Sequence, residues 1–498
     1  MGATVLALLL AGCSAPKHQA EVTPEPTVTS TDVAPDLVRF YTQQLDWTAC
    51  GDLECTTAMV PLDWADPAGA TIELAVNRSP AKGDDRLGSL LINPGGPGAS
   101  GTDALSSLAL ERVSQDVQDR YDMVGFDPRG VAGSSPVTCV DDADMDTLLA
   151  TDFDFATDAG VQEAEQAYGT FGAACLQNTG PVLGHVDTVS AARDLDVLRA
   201  ALGDEKLTYL GYSYGTQLGA TYAGLFPDRV GRLVLDGALD PTLTSDELSA
   251  GQAAGFESAL RAYVEDCQAG ATCPLTGSAD DGMAQIGDLL DRARTSPLKT
   301  GTDRRLTAAL AFAGIALPLY DQNSWPYLTI ALTSALQNGD GSVLLQLSDV
   351  YYDRAADGTY TSNSTNAFWS IGCLDDRGTT DIAQMRTEAA AIQEVAPTVG
   401  YFFGYGGVLC SQWPVPEVGG LDSYAAEGAA PILVVGTTND PATPYAWAQR
   451  LADLLSSGTL LTYEGEGHTA YGRSNSCISD AVDGYLIDGT VPAEGTRC

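Results

Sequence analysis

Gly211-Tyr212-Ser213-Tyr214-Gly215 constrains this chain more than any other stretch. Lys206 to Leu210 is a short β-leaning run leading into it, and a small-residue helical pattern follows through Gln217, Ala220 and Tyr222. A serine between two glycines at this spacing suits a sharp strand-to-helix turn. The glycines let neighbouring backbone come close, and the serine hydroxyl is left exposed at the helix N-terminus. In such a turn the backbone N–H of Tyr214 points to where an oxyanion forms. An ordinary glycine-rich turn can carry the same five residues, so the rest of the chain has to decide.

Strands and helices alternate on both sides of this turn. Leu87 to Ile92 is an apolar strand running into Asn93-Pro94-Gly95-Gly96-Pro97-Gly98. A glycine-rich turn of that kind can offer a second backbone N–H to an oxyanion, with Gly96 as the candidate. Tyr121 to Phe126 is another strand, ending in Asp127-Pro128-Arg129-Gly130, where Arg129 reads as a brace between loops rather than a substrate contact. Leu195, Leu198 and Leu202 fall at helical spacing, and Arg232 to Asp236 is again a strand. This alternation predicts an α/β fold: a doubly wound, mostly parallel sheet.

From 238 to 429 the rhythm changes. Glu247–Cys267, Gly282–Ala293, Leu306–Leu317 and Tyr327–Leu336 read as helices, with no strong strand pattern between them. The segment is expected to be a large helical lid inserted over the C-terminal edge of the sheet. Residues 430–498 then complete the core begun by 37–237. Pro431 to Gly436 is a strand followed by Thr437-Thr438-Asn439-Asp440-Pro441-Ala442-Thr443-Pro444. Thr459 to Tyr463 is the last strand and leads to Gly467-His468-Thr469.

The order Ser213, Asp440, His468 is the Ser…Asp…His chain order of α/β-hydrolases. Each residue follows an apolar strand, so all three are expected at one edge of the sheet. Of the 3 histidines, His18 falls in a polar tether and His185 in a loop before the serine turn, which leaves His468.

The ends of the chain and its composition speak to compartment. Ala3 to Ala11 is a short apolar run, too short to span a bilayer but suited to a signal-peptide core. It ends in Leu10-Ala11-Gly12-Cys13, which resembles the lipobox of bacterial lipoproteins, so residues 1–13 read as a leader with Cys13 as the lipidated residue. Residues 14–36, rich in Thr, Pro, Glu and Ala, read as a disordered tether. Of the 11 cysteines Cys13 sets one apart, and the rest are an even number. Spacing favours the local bridges Cys50–Cys55, Cys139–Cys175, Cys267–Cys273, Cys373–Cys410 and Cys477–Cys498, although spacing alone does not fix connectivity. No C-x-x-C pair suggests a metal site. A net charge of -41 repels nucleic acid and anionic lipid, leaving a lipid on Cys13 as the expected link to a membrane.

The turns at Asn93–Gly98, Asp127–Gly130, Gly211–Thr216, Asp440–Pro444 and Gly467-His468 together resemble the secreted tripeptidyl aminopeptidases of actinobacteria. These are serine peptidases related to proline iminopeptidases, and the resemblance runs from about Cys50 to Cys498. It implies removal of short peptides, often tripeptides, from free N-termini, without metal or organic cofactor. His468 would take the Ser213 proton, Asp440 would orient the imidazole, and the N–H groups of Tyr214 and Gly96 would hold the oxyanion. An aminopeptidase must also recognise an ammonium, for which a partly desolvated carboxylate is the natural partner. Asp375 in Gly372-Cys373-Leu374-Asp375-Asp376-Arg377 is the candidate, because a bridge at Cys373 would hold it still; the competing reading pairs it with Arg377. The resemblance points to the same place through a Cys-x-Asp element. An esterase or lipase would use the same triad, and a non-catalytic surface binding lipoprotein is the reading from another class.

Overall fold

The computed structural model describes residues 33–498, so the expected leader, Cys13, His18 and nearly all of the expected tether lie outside it. The strands in chain order are β1 (Thr48–Cys50), β2 (Leu53–Pro61), β3 (Thr71–Ser79), β4 (Gly88–Asn93), β5 (Tyr121–Phe126), β6 (Leu207–Tyr212), β7 (Val230–Asp236), β8 (Leu298–Lys299), β9 (Arg305–Leu306), β10 (Ile432–Asn439) and β11 (Gly458–Glu466). One 9-stranded sheet has the order β1-β2-β3-β5-β4-β6-β7-β10-β11. Its first three strands form an antiparallel meander, and β3 meets β5 antiparallel. From β5 to β11 every pairing is parallel. Every residue of β4 and β5 is buried, as befits central strands covered on both faces.

Parallel strands deliver their C-terminal ends to one edge, and the turns singled out above all leave from that edge. Below them, Arg129 is fully buried and bidentate on Asp194, at 2.7 Å for each nitrogen. It also donates to the carbonyls of Pro61, Leu62 and His185. Arg129 is therefore a brace, and His185 takes part through its backbone alone, remote from the serine turn in role. Asp127 accepts from Ser100 Oγ, Thr102 N and Gly133 N, which ties the chain after the Asn93–Gly98 turn to its neighbour.

The β7–β10 connection is helical apart from the short β8–β9 hairpin. Helices Ser245–Ala269 and Ala279–Thr295 begin ahead of their apolar periodic parts because Thr244 and Ser278 form capping boxes with Glu247 and Asp281. Helix Ser364–Asp375 has no such sequence signal. Its N-cap, Asn363, makes no cap bond and instead accepts from Ala132 N and donates to the carbonyls of Gly130 and Val137. Asn363 thus fastens the insertion to the Asp127–Gly130 loop of the core.

All five bridges favoured by spacing are formed, from Cys50–Cys55 to Cys477–Cys498. Such bonds persist in oxidising compartments. Among the described residues no helix is long and apolar enough to cross a membrane.

Candidate active site

Ser213 sits between β6 and the helix Tyr214–Leu225 with φ 56 and ψ -125, a left-handed conformation that a non-glycine residue adopts only under constraint. The constraint is visible on both sides. Ser213 N donates to Asp236 O at 2.9 Å, and Ser213 O accepts from Thr216 N at 2.8 Å and Thr216 Oγ1 at 2.6 Å. The flanking glycines are required by space: a Cβ on Gly211 would lie 2.4 Å from Gly215 O, and one on Gly215 2.8 Å from Asn93 O.

The Asn93–Gly98 turn lies directly on this elbow. A Cβ on Gly95, whose φ is +100, would come within 2.6 Å of Tyr212 O and 2.8 Å of Ser213 Cβ. Gly96, Ser213 and Tyr214 share the wall of a cavity of about 500 Å³. That arrangement suits a nucleophile flanked by two backbone donors.

Asp440 and His468 meet as expected. His468 Nδ1 lies 2.9 Å from both carboxylate oxygens of Asp440. Asp440, 2% exposed, also accepts from the backbone N–H groups of Ala442, Thr443 and Thr469, so its geometry is set by the loops that carry it. His468 Nε2 is buried without a hydrogen-bond partner, so it makes no hydrogen bond to Ser213 Oγ. Catalytic hydrogen bonds are commonly long before substrate binds.

Several residues complete this site without a sequence signal of their own. Asp236, at the end of β7, is fully buried and accepts from Ala470 N and Tyr471 N while its carbonyl holds Ser213 N. It joins the serine and histidine turns, and burial pushes its carboxyl up to about 6. Thr443 Oγ1 is 3.3 Å from His468 Nδ1. Tyr320, from the insertion, accepts from His468 N at 2.8 Å and sets its ring edge-on to the imidazole, centroids 5.4 Å apart.

Asp375 lies on the wall of the same cavity as Ser213, at the C-terminal end of helix Ser364–Asp375. The Cys373–Cys410 bridge fixes that end. The pairing with Arg377 is absent: Arg377 donates to Val415 O, and its Nε is buried without a partner. Asp375 has no salt bridge among the described residues and is held by Thr188, from N at 2.8 Å and from Oγ1 at 2.5 Å. Burial, against these hydrogen bonds, pushes its carboxyl up to about 7. Aromatic side chains cover much of the remaining wall, among them Trp369 and Tyr405 from the insertion. Phe153, Phe155 and Tyr168 come from the β5–β6 connection, so the cavity is covered from two parts of the chain. No group of His, Cys, Asp or Glu among the described residues is arranged to hold a metal ion.

A buried parallel sheet with a strained serine elbow and an Asp–His pair at its C-terminal edge is that of an α/β-hydrolase, here a serine hydrolase. Residues 396–498 match the family model described as TAP-like protein. Serine protease Hip1 of Mycobacterium tuberculosis is 40% identical over 92% of this chain and 91% of its own. Carboxylesterase B of the same organism is 38% identical over 96% of this chain and 94% of its own. Tripeptidyl aminopeptidase of Streptomyces lividans is 30% identical over 91% and 85%. The chain belongs to this family of tripeptidyl aminopeptidase-like serine hydrolases.

Proposed function

We propose that the protein is an exported serine exopeptidase releasing short peptides, tripeptides above all, from free N-termini. The observation that carries this reading is Asp375: a carboxylate without a cation partner, facing the cavity that also holds Ser213. An isolated, partly buried carboxylate is costly to keep ionised, and a substrate ammonium is the group that would neutralise it. An extended tripeptide spans at most ~10 Å, within reach of a cavity of about 500 Å³. The aromatic wall favours apolar side chains between the ammonium and the scissile bond.

In this reading Ser213 Oγ attacks the scissile carbonyl carbon as His468 Nε2 takes its proton. Asp440, on Nδ1, holds the tautomer that leaves Nε2 free and stabilises the imidazolium. The N–H groups of Tyr214 and Gly96 hold the oxyanion, each worth about 2.7–4 kcal/mol. The C–N bond then breaks, His468 passes its proton to the departing amine, and the peptide remains esterified to Ser213. Water attacks that ester with His468 as base, and the proton returns to Ser213 Oγ as the peptide leaves. The bridges support export, and Cys13 is the anchor expected from the leader.

A relative named Carboxylesterase B supports an esterase as the second reading. Comparing peptide amides with simple esters separates the two, and comparing a free-amine tripeptide amide with its N-acetylated form tests the need for a free N-terminus. The exopeptidase turns over the free amine far faster, and Asp375→Asn shrinks the gap. Equal turnover of the free and acetylated amides by the wild type would reject the exopeptidase and favour an esterase or an endopeptidase.

A further inference from the structure

Tyr214 is engaged at both of its ends. Its backbone N–H lies beside the nucleophile, while its hydroxyl reaches Thr188 Oγ1 at 2.5 Å. Thr188 Oγ1 in turn donates to Asp375 Oδ2 at 2.5 Å, and Thr188 N to Asp375 Oδ1 at 2.8 Å. A threonine hydroxyl has one proton, so when Asp375 is ionised, as an ammonium partner must be, Thr188 donates to the carboxylate and the Tyr214 hydroxyl donates to Thr188. In that state the chain runs from tyrosine to threonine to carboxylate.

Each member is rigid. Tyr214 and Thr188 are 4% and 3% exposed, so neither side chain has room to swing. Thr188 opens helix Thr188–Ala201, which Asp187 caps through Ser190 N at 2.8 Å and which is buried along nearly its whole length. A tyrosine ring has only two rotatable side-chain bonds, and burial fixes both. The partial positive charge of the helix N-terminus favours a carboxylate at Thr188 N.

We propose that the Tyr214 side chain and the Thr188 hydroxyl form a spacer that sets the distance between the substrate ammonium and the scissile carbonyl, making Thr188 a positioning residue that determines the length of peptide released. The proposal rests on reading Asp375 as the ammonium partner. Its content is that the site measures peptide length from a single residue, Tyr214, whose backbone serves one end and whose hydroxyl serves the other. A spacer made of covalent bonds and two short hydrogen bonds tolerates little stretch, so a substrate one residue too short or too long places its ammonium away from Asp375.

The test uses free-amine peptides of two, three and four residues, each linked to the same fluorogenic amine, on the full-length enzyme. Thr188→Val keeps the shape and removes the hydroxyl, Thr188→Ser keeps the hydroxyl, and Tyr214→Phe removes only the other end of the bond. Val and Phe are expected to lower kcat/KM for the preferred length roughly tenfold, mainly through KM, and to flatten the length profile. Ser is expected to restore it. An unchanged length profile in both Val and Phe variants overturns the spacer, as does failure of Ser to recover what Val loses. Tyr214→Phe keeps the test decisive where the Val variant does not fold. The wild-type preference for free over acetylated substrate is measured in parallel. If that preference is absent the ammonium reading itself falls; if it is present with unchanged length profiles, only the spacer does.

Discussion

Two aspartates, one buried in the core and one partly buried on the insertion, are treated in opposite ways. Asp194, beneath the sheet edge, is closed off by a bidentate Arg129 and by Trp64 Nε1 at 3.0 Å. Asp375, above the same edge, has two hydrogen bonds from Thr188 and no cation, and burial pushes its carboxyl up to about 7. The closed pair braces loops and has nothing left for a ligand. The open carboxyl has no cation of its own among the described residues, and ionising it in that setting costs stability that a ligand cation would offset. In the proposed reading the nucleophile sits at a strand end braced from below, and recognition falls to a carboxylate at a helix end that no cation matches. Sites that bind are commonly the places where a fold forgoes stability.

The comparison breaks first if the sheet edge carries no chemistry. Ser213→Ala should lose labelling by a fluorophosphonate and reduce turnover by roughly 10⁴-fold or more. Labelling equal to wild type would remove the nucleophile from the account. Arg129→Met tests the closed pair. It leaves Asp194 buried and unpaired, so denaturant unfolding should show a loss on the order of 3–5 kcal/mol. A loss under ~1 kcal/mol would mean that the brace carries no weight. Asp375→Asn tests the open group, with kcat/KM for a free-amine tripeptide amide expected to fall by roughly 10- to 100-fold.

The same variant has a stability signature of definite sign. In the fold Asp375 holds its proton up to about pH 7, against a reference value of 3.8, so the native state binds more protons than the unfolded chain between those limits. Its contribution is full below the lower value and is lost as pH rises through the upper one. Melting temperatures should therefore show Asp375→Asn gaining on the wild type from pH 4 to pH 8. A constant difference would show that Asp375 is not held protonated by burial.

Much of the sheet edge was legible because parallel strands and tight turns leave local signatures. Apolar runs marked β4, β5, β6, β7, β10 and β11, and glycines marked turns where a Cβ has no room. Asp440 and His468 followed from strand order, and the bridges from proximity along the chain. What could not be read is held by contacts between distant residues. Thr188 meets Asp375 across 187 positions, and Asp236 meets Tyr471 across 235. Tyr320 reaches His468 from a loop at the end of an apolar helix, where nothing in the pattern marks it. Phe153 and Phe155 lie in a non-helical stretch between β5 and β6, and only the packing shows that they face the cavity.

The central claim, that one cavity holds both the nucleophile and the group that recognises a free N-terminus, is tested most directly by a structure with a free-amine tripeptide aldehyde. The account predicts a hemiacetal between Ser213 Oγ and the aldehyde carbon, with its oxygen about 2.7–3.1 Å from Tyr214 N. It also predicts the ammonium nitrogen within about 3 Å of the Asp375 carboxylate. A covalent bond to Ser213 with the ammonium turned to solvent, away from Asp375, would contradict it.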